Sequence, residues 1–219
     1  MCGHSGAGKT ALSEAMLFNM GAVNRLGRIA DGTTLSDYDS AEIERQISLK
    51  ISPLNGRWQD HHLNVLDTPG YADFISEAKA ALRISDTAVA VVDAVTGLEI
   101  GTERTWNFAA EYNLPRMLFI NKMDRDDADA DQVLEIARER FGREVVPLQM
   151  AVNPGEGFNQ VIDLVSMRAY TYNDGKATEG DIPAEIQENV QEQYEQLVES
   201  IAETDEALME KYFSEGELS

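Results

Sequence analysis

Apolar residues in the first two thirds of the chain follow two spacings, one typical of helices and one typical of buried strands. Residues 9–20 are predicted to form a helix, because apolar side chains recur every four positions and a glycine follows at position 21. Residues 87–94, TAVAVVDA, form a continuous apolar run of strand length. The same spacings predict helices over 74–84, 103–112 and 132–141, and a strand over 117–120. Strands that alternate with helices indicate an α/β fold with a mainly parallel sheet.

A polar, turn-rich segment follows the first helix. Residues 22–46 show little periodicity, and an irregular stretch of that length inside a compact domain is more often functional than idle. Two strands are then predicted over 47–54 and 61–67. Asn55-Gly56 is predicted to be the turn between them, because both residues tolerate positive φ. The region is therefore expected to contain an antiparallel hairpin.

A second domain, 143–219, is predicted after a first domain, 1–142. Residues 145–152 and 161–172 resemble strands, and an acidic amphipathic helix is predicted from Asp181 onward. One apolar stripe along this helix is expected to serve packing, and it consists of Ile182, Ile186, Val190, Tyr194, Leu197 and Ile201. The second domain is therefore predicted to be α+β, with its acidic helices at the end.

Composition limits the class of protein. The chain has 219 residues, of which 43% are hydrophobic, so a real core is expected. Its single cysteine, Cys2, excludes an internal disulfide, fits a reducing compartment and is expected to be a buried strand residue. No long apolar run and no signal peptide are evident, so we expect a cytoplasmic protein without a membrane partner.

The acidic charge is concentrated near the end of the sequence. The formal net charge is −21, and residues 171–219 hold 14 acidic and two basic residues, a net charge of −12. Such a surface repels a nucleic-acid backbone and suits a protein partner that carries basic groups. It is equally compatible with a solvated helix face that keeps the protein soluble. We expect no direct sequence-specific contact with nucleic acid.

The first residues match the phosphate-loop pattern G-x-x-x-x-G-K-[ST]. The matching residues are Gly3, His4, Ser5, Gly6, Ala7, Gly8, Lys9 and Thr10. Glycines let backbone N–H groups close around phosphate oxygens at a helix N-terminus, where the helix dipole also favours anions. Lys9 is expected to reach the β- and γ-phosphates, and the Thr10 hydroxyl is expected to bind Mg²⁺.

Two further motifs follow predicted strands. In the first, Asp67 is expected to hold Mg²⁺ through a water and the Gly70 N–H to donate to the γ-phosphate. In the second, Asp124 is placed to accept two hydrogen bonds from guanine, while Asn121 ties the loops together and Lys122 lies across the loop or the base. Adenine lacks that pair of donors and would leave the carboxylate unpaired, although an ATP-using enzyme stays as an alternative.

In this order, the motifs resemble the GTP-binding domain of the translational GTPases, and most of all that of elongation factor G. LDTPGYADF resembles the switch region of that family, and INKMDRDDAD resembles its guanine loop. GREVVPLQMAVNPGEGFNQVIDLVSMRAYTYND and the acidic helices resemble the subdomain inserted in elongation factor G. The resemblance covers essentially the whole chain. It implies a P-loop GTPase fold, GTP or GDP with Mg²⁺ as cofactors, and a ribosomal protein as partner of the acidic subdomain.

Four positions bear on the mechanism that the resemblance implies. Ser48 lies where the family has a Mg²⁺-binding threonine, and it is either a metal ligand or an ordinary strand residue. Gly6 replaces the aspartate of the phosphate loop, and Ala11 replaces a second threonine. Tyr71 replaces the histidine that orients the attacking water.

Tyr71 joins Lys9 and Gly70 as a candidate catalytic residue. A phenol can position water by hydrogen bonding, but its pKa near 10 makes it a poor base at neutral pH. Nucleotide binding is therefore expected to persist and hydrolysis to be slower or differently triggered. The alternative is that Tyr71 packs as an aromatic residue at the start of a helix.

The ends of the sequence lead to one more expectation. Only Met1 and Cys2 precede the phosphate loop, and no final strand or Ser-Ala guanine loop follows. We therefore expect a fragment whose sheet lacks its first and last strands. A tetracycline-resistance ribosome protection protein and a GTP-dependent binding module with little turnover are the alternatives to an elongation factor G-like GTPase.

Overall fold

The chain forms two compact units. The computed structural model describes residues 1–173 and 175–215. The first unit is Met1–Lys122, and the second begins at Met123. The sequence-based division into domains 1–142 and 143–219 stays a prediction, because compactness alone does not show where an inserted subdomain begins.

The first unit combines helices with a hairpin and a parallel strand pair. Its α-helices are α1 (Lys9–Asn19), α2 (Ser40–Arg45), α3 (Ile75–Leu82) and α4 (Ile100–Glu111). Its strands are β1 (Ser52–Trp58), β2 (His61–Asp67), β3 (Ala88–Asp93) and β4 (Arg116–Asn121). Short 3₁₀ helices cover Ile29–Asp31 and Ala72–Phe74. The predicted alternation of strands and helices, and the α/β class, are confirmed.

The hairpin is antiparallel, as predicted, but its turn lies elsewhere. Asn55 and Gly56 are inside β1, and the strands are joined by Gln59-Asp60, where Gln59 takes the left-handed φ of 51°. The predicted Asn-Gly turn is therefore wrong. A Cβ at Gly56 would lie 2.9 Å from Met20 Sδ, so this glycine serves the close approach of the end of α1.

Residues 22–50, which include the predicted turn-rich stretch 22–46, are called the irregular segment. They contain one well-capped helix, α2. The Asp39 side chain accepts a hydrogen bond from the Ala41 N–H, and Glu42 completes a capping box at the start of α2. Ser48 lies after this helix and before β1, so the predicted strand start at residue 47 is wrong. Capping satisfies backbone groups that a six-residue helix would otherwise leave open.

The first unit contains a parallel pair of strands, and β3, the first of the two, is almost fully buried. β3 and β4 pair in parallel over their full length, and both end at the same edge. The main chain of Cys2 adds a parallel bridge to Ala90, with Cys2 N–H donating to Val89 O and Val91 N–H donating to Cys2 O. Cys2 is buried, as predicted. Its two bonds place the start of the phosphate loop beside β3.

Residues Met1 and Thr68 extend this arrangement toward β2. The Met1 nitrogen donates to Leu66 O at 2.8 Å, and Thr68 Oγ1 donates to Met1 O at 2.8 Å. Met1 and Cys2 thus form a short bridge that contacts β2 on one side and β3 on the other.

In the second unit, the described residues form one helix, a four-stranded antiparallel sheet and two further helices. The helices are α5 (Ala130–Phe141), α6 (Gln187–Ala202) and α7 (Glu206–Glu215), with a 3₁₀ helix at Ala184–Ile186. The strands, in sheet order, are β5 (Gln149–Ala151), β6 (Gln160–Asp163), β7 (Arg168–Asn173) and β8 (Lys176–Gly180). The stretch predicted as one strand over 161–172 is two strands joined by a turn, and β8 was not predicted.

The apolar stripe of the acidic helix packs largely as predicted. Val190 and Leu197 are fully buried in a core with Ile162, and Leu164 and Ala169 complete that core. Ile182 and Ile186 pack against the same core, whereas Ile201 is 43% exposed. Among the described residues, no helix combines the length and the apolar character needed to cross a membrane.

Candidate functional site

The phosphate loop, residues 3–10, starts beside β3 and bends sharply before the chain enters α1. Gly3, Gly6 and Gly8 have φ values of 126°, 78° and 99°, which residues with a side chain rarely adopt. A Cβ at Gly3 would lie 2.5 Å from Val91 O, so the loop begins in direct contact with the strand. Gly8 precedes α1, and the N-terminus of this helix therefore faces the loop.

His4 and Ala7 are held by neighbouring elements. The His4 N–H donates to Thr102 Oγ1 at 3.2 Å, and its Nε2 lies 3.3 Å from a Glu99 carboxylate oxygen. Ala7 is buried, and its carbonyl accepts a hydrogen bond from the Asn121 side chain at 2.9 Å. These contacts fix the loop from both sides.

Lys9 has its charged group inside the site. The residue is only 6% exposed, and its Nζ donates to His4 O at 2.8 Å. Desolvation by burial lowers the pKa of the Lys9 ammonium, and the nearby Asp67 opposes this effect. A buried ammonium beside a helix N-terminus suits an anion such as a phosphate.

A cluster of hydroxyls and carboxylates lies next to the phosphate loop. We call Thr10, Ser36, Asp37, Ser48 and Asp67 the hydroxyl–carboxylate cluster. Thr10 Oγ1 and Ser36 Oγ both donate to Asp67 Oδ2, at 2.7 and 2.6 Å. Ser48 Oγ donates to Asp37 Oδ1 at 2.7 Å and lies 3.2 Å from Thr10 Oγ1. The predicted metal residues Thr10, Ser48 and Asp67 are therefore brought together.

The donor set of this cluster fits a hard cation. Its side chains offer only oxygen, which Mg²⁺ prefers. Asp67 is 1% exposed, yet its Oδ1 has no hydrogen-bond partner among the described residues. Desolvation by burial raises the pKa of the Asp37 carboxyl, although the Ser48 hydroxyl opposes this. A bound cation would offset the unfavourable burial of both carboxylates.

The cluster supplies few ligands by itself. Among the described residues, no group of three or more His, Cys, Asp and Glu side chains is arranged to hold a metal ion. Mg²⁺ commonly completes its octahedron with waters and substrate phosphates rather than with a full protein cage. The cluster therefore suits a cation that arrives together with a phosphorylated ligand.

A cavity of about 120 Å³ joins the phosphate loop to the cluster. Its lining includes Tyr71, which is 45% exposed and immediately precedes the 3₁₀ helix at Ala72–Phe74. Gly70 also lines it, and a Cβ there would lie 2.6 Å from Ser5 N and would contact Lys9 Nζ. The other lining residues are Ser5, Gly6, Gly8, Lys9, Thr10, Ile29, Asp37, Gln46, Ile47 and Ser48.

Residues of the predicted guanine loop divide between the two units. Asn121 and Lys122 belong to the first unit. The Asn121 side chain donates to Ala7 O, and Lys122 Nζ lies 2.6 Å from Asp93 Oδ2. Asp124 is exposed and belongs to the second unit, so its role stays a prediction.

Sequence reasoning missed Ser36, Asp37 and Asp93. Asp93 ends an apolar run at the carboxyl end of a parallel strand, which is a recognisable signal for a site residue. Ser36 and Asp37 lie in an irregular segment, where periodicity gives no indication of which side chains turn inward.

Two comparisons relate this arrangement to known proteins. Residues 1–210 match the family model of the elongation factor Tu GTP-binding domain. The fold matches a crystal structure of a protein from Thermus thermophilus with a TM-score of 0.93 and 36% sequence identity. That match covers 100% of this chain and 33% of the Thermus protein, so this chain spans about a third of the length of that protein. The chain thus belongs to the elongation factor Tu GTP-binding domain family, the GTP-binding domains of translational GTPases.

Proposed function

We propose that this chain is the GTP-hydrolysing domain of an elongation factor G-like protein that acts on the ribosome in the cytoplasm. The hydroxyl–carboxylate cluster beside the phosphate loop is the observation that carries the proposal. It joins one residue from α1, three from the irregular segment and one from β2 by hydrogen bonds, and Thr10, Asp37 and Ser48 of this cluster line the cavity. A nucleotide hydrolase needs these parts together to sense a γ-phosphate.

The residues have distinct roles in this proposal. Backbone N–H groups of Gly3–Thr10 cradle the phosphates, and Lys9 neutralises their charge. Thr10 and Ser48 would hold Mg²⁺ directly and Asp67 through a water. When bound, Mg²⁺ withdraws charge from the phosphate oxygens and orients them. Gly70 donates its N–H to the γ-phosphate, which a side chain at this crowded position would prevent.

Tyr71 is proposed to position the attacking water. The residue lines the cavity and is 45% exposed, so it borders both the site and solvent. In this role the phenol orients the water by hydrogen bonding and does not remove a proton from it. Turnover therefore depends on positioning and electrostatics, and we expect it to be stimulated by the ribosome.

The acidic helices α6 and α7 are proposed to contact a basic protein of the ribosome. Acidic side chains line their exposed faces, while the opposite face of α6 packs into the core of its unit. Electrostatic complementarity of this kind mainly raises the association rate and is weakened by salt.

Single-turnover cleavage of GTP, with and without ribosomes, tests the proposal. The parent chain is compared with Tyr71→Phe and Tyr71→His. Ribosome-stimulated cleavage that Tyr71→Phe reduces by about 10²-fold or more supports a water-positioning phenol, since misplacing a reacting group by about 1 Å costs about 10²-fold. Cleavage that Tyr71→Phe leaves unchanged removes the hydroxyl from the mechanism.

The same experiment distinguishes a GTPase from a GTP-dependent binding module. Tight GTP binding without cleavage in any condition favours a GTP-dependent binding module. Asp124→Asn tests the base: we expect the preference for guanine to be lost, since the amide cannot accept both hydrogen bonds. Unchanged nucleotide preference would favour an ATP-using enzyme.

A further inference from the structure

Ser36 uses each of its polar groups to contact a different element. It is 1% exposed and lies in the irregular segment. Its N–H donates to Glu14 Oε1 of α1 at 3.2 Å, and its carbonyl accepts from Ser52 Oγ of β1 at 2.5 Å. Its hydroxyl donates to Asp67 Oδ2 at the end of β2 at 2.6 Å. A residue fixed in this way has little freedom to turn its hydroxyl elsewhere.

Glu14 anchors the segment to α1. Its carboxylate is also 1% exposed, and Oε1 accepts a second hydrogen bond, from Leu35 N–H at 2.6 Å. Hydrogen bonds from backbone N–H groups to a buried carboxylate are stronger than those between neutral groups. A Cβ at Gly27 would contact Glu14 Oε2, so the chain passes the carboxylate at a point where only glycine fits.

As a result, the two oxygens of the Asp67 carboxylate differ in their hydrogen bonds. Both hydroxyl donors, Ser36 and Thr10, bind Oδ2, and Oδ1 is left buried without a partner among the described residues. Two donors on one oxygen fix the rotation of the carboxyl group. The oxygen that stays free is then available to the cation site.

We propose that Ser36 is a positioning residue for the cation site: its hydroxyl orients Asp67, and Glu14 holds Ser36 in place. This inference rests on the proposed function, because it assumes that a guanine nucleotide binds with Mg²⁺. Ser36 itself contacts neither. Groups that orient a metal site through a neighbouring carboxylate typically contribute about 10–100-fold to metal affinity.

The arrangement also couples the irregular segment to the metal site. Ser36, Asp37 and Ser48 lie on the same segment, so docking of the segment on α1 and orientation of Asp67 occur together. Loss of the Ser36 hydroxyl breaks this connection and leaves the phosphate loop and the Asn121 contact intact.

The test measures how binding of a fluorescent GDP analogue depends on Mg²⁺ concentration. The parent chain is compared with Ser36→Ala, with Glu14→Gln and with the control Ser40→Ala, an exposed serine of the same segment. For Ser36→Ala we expect the half-saturating Mg²⁺ concentration to rise about tenfold. In EDTA, its affinity for the analogue should stay within about twofold of the parent, because the phosphate loop is unchanged.

The remaining variants complete the test. Glu14→Gln keeps the acceptor but loses its charge, so we expect a smaller shift in the same direction, about threefold. Ser40→Ala should match the parent. Equal Mg²⁺ dependence for Ser36→Ala and the parent, or an equal loss with and without Mg²⁺, overturns the inference alone. A parent chain that binds no guanine nucleotide overturns the proposed function as well.

Discussion

The two units of the chain differ in what they bury. Every buried polar or charged side chain that the structure describes lies in the first unit, between Lys9 and Thr105. The described buried side chains of the second unit, from Met123 to Ala202, are all apolar. Burial of a polar group lowers stability unless a partner is present. The first unit therefore accepts a stability penalty where a partner is missing, as at Asp67 Oδ1, for which the described residues offer none. The second unit follows the ordinary pattern of an apolar core under a charged surface.

The largest expected effect concerns the tight backbone of the phosphate loop. Gly3→Ala places a Cβ against Val91 O at a left-handed φ, so strain and overpacking together should destabilise the first unit by about 2–6 kcal/mol. Thermal and denaturant unfolding of the nucleotide-free protein measure the effect. Gly6→Ala is the matched control: its φ is also positive, but its Cβ meets nothing within 4 Å, so about 1–2 kcal/mol is expected. Equal losses would show that crowding at Gly3 is unimportant.

An apolar truncation in the second unit should rank next. Ile162→Ala removes a fully buried side chain from the core beside Val190 and Leu197, and should lower the free energy of unfolding by about 2–5 kcal/mol. Urea denaturation followed by circular dichroism measures this. Val165→Ala, at a position 70% exposed, should change it by less than about 0.5 kcal/mol. A small effect at Ile162 would contradict the view of this unit as an apolar core.

Removal of a buried charge from the first unit should lower nucleotide affinity without lowering the free energy of unfolding. Lys9→Met removes the ammonium that contacts the phosphates, and GTP affinity should fall about 100-fold, or about 2.7 kcal/mol. Without nucleotide, the variant should be at least as stable as the parent, because burial lowers the pKa of Lys9 and thus disfavours its charged form. Fluorescent-nucleotide titration and thermal unfolding give the two numbers. A large loss of stability with intact affinity would show that Lys9 is structural.

The smallest effect concerns Asp37 and has a defined pH dependence. Its folded pKa is raised by burial above the unfolded value near 3.9, so its charged form destabilises the fold above the folded pKa. Asp37→Asn should therefore raise the melting temperature of the nucleotide-free, metal-free protein slightly at pH 7. The gain should shrink as the pH falls through the folded pKa and vanish below the unfolded one.

A control in the second unit completes this comparison. Glu199 is an exposed residue of α6, and Glu199→Gln should change the free energy of unfolding by less than about 0.5 kcal/mol. A pH-independent gain at Asp37, or a gain of equal size at Glu199, would show that burial of the Asp37 carboxylate is not the cause.

Much of the fold was predictable because it follows from local pattern. The helix over 9–20, the apolar strand over 87–94 and the acidic helix after Asp181 are found close to their predicted bounds. The turn at Asn55-Gly56 was wrong because a glycine suits both a turn and a close approach by another element. Only the position of Met20 distinguishes these two uses.

The candidate site was predictable in its motifs but not in its support. The phosphate loop, Asp67 and Asn121 carry spacing that is readable in one dimension, and the structure brings them together. The relation of Asp124 to them stays a prediction.

By itself, the sequence determined the α/β class, the phosphate loop and the acidic surface, since helix and strand periods, glycine spacing and charge are local properties of the chain. Only the tertiary structure decided that Ser36 turns inward toward Asp67 and that Asp37 accepts a hydrogen bond from Ser48. It also decided that Glu14 of α1 accepts hydrogen bonds from the main chain of the irregular segment. The physical reason is that a buried hydrogen bond depends on where two distant segments meet. The irregular segment has no periodic pattern from which such a contact could be predicted.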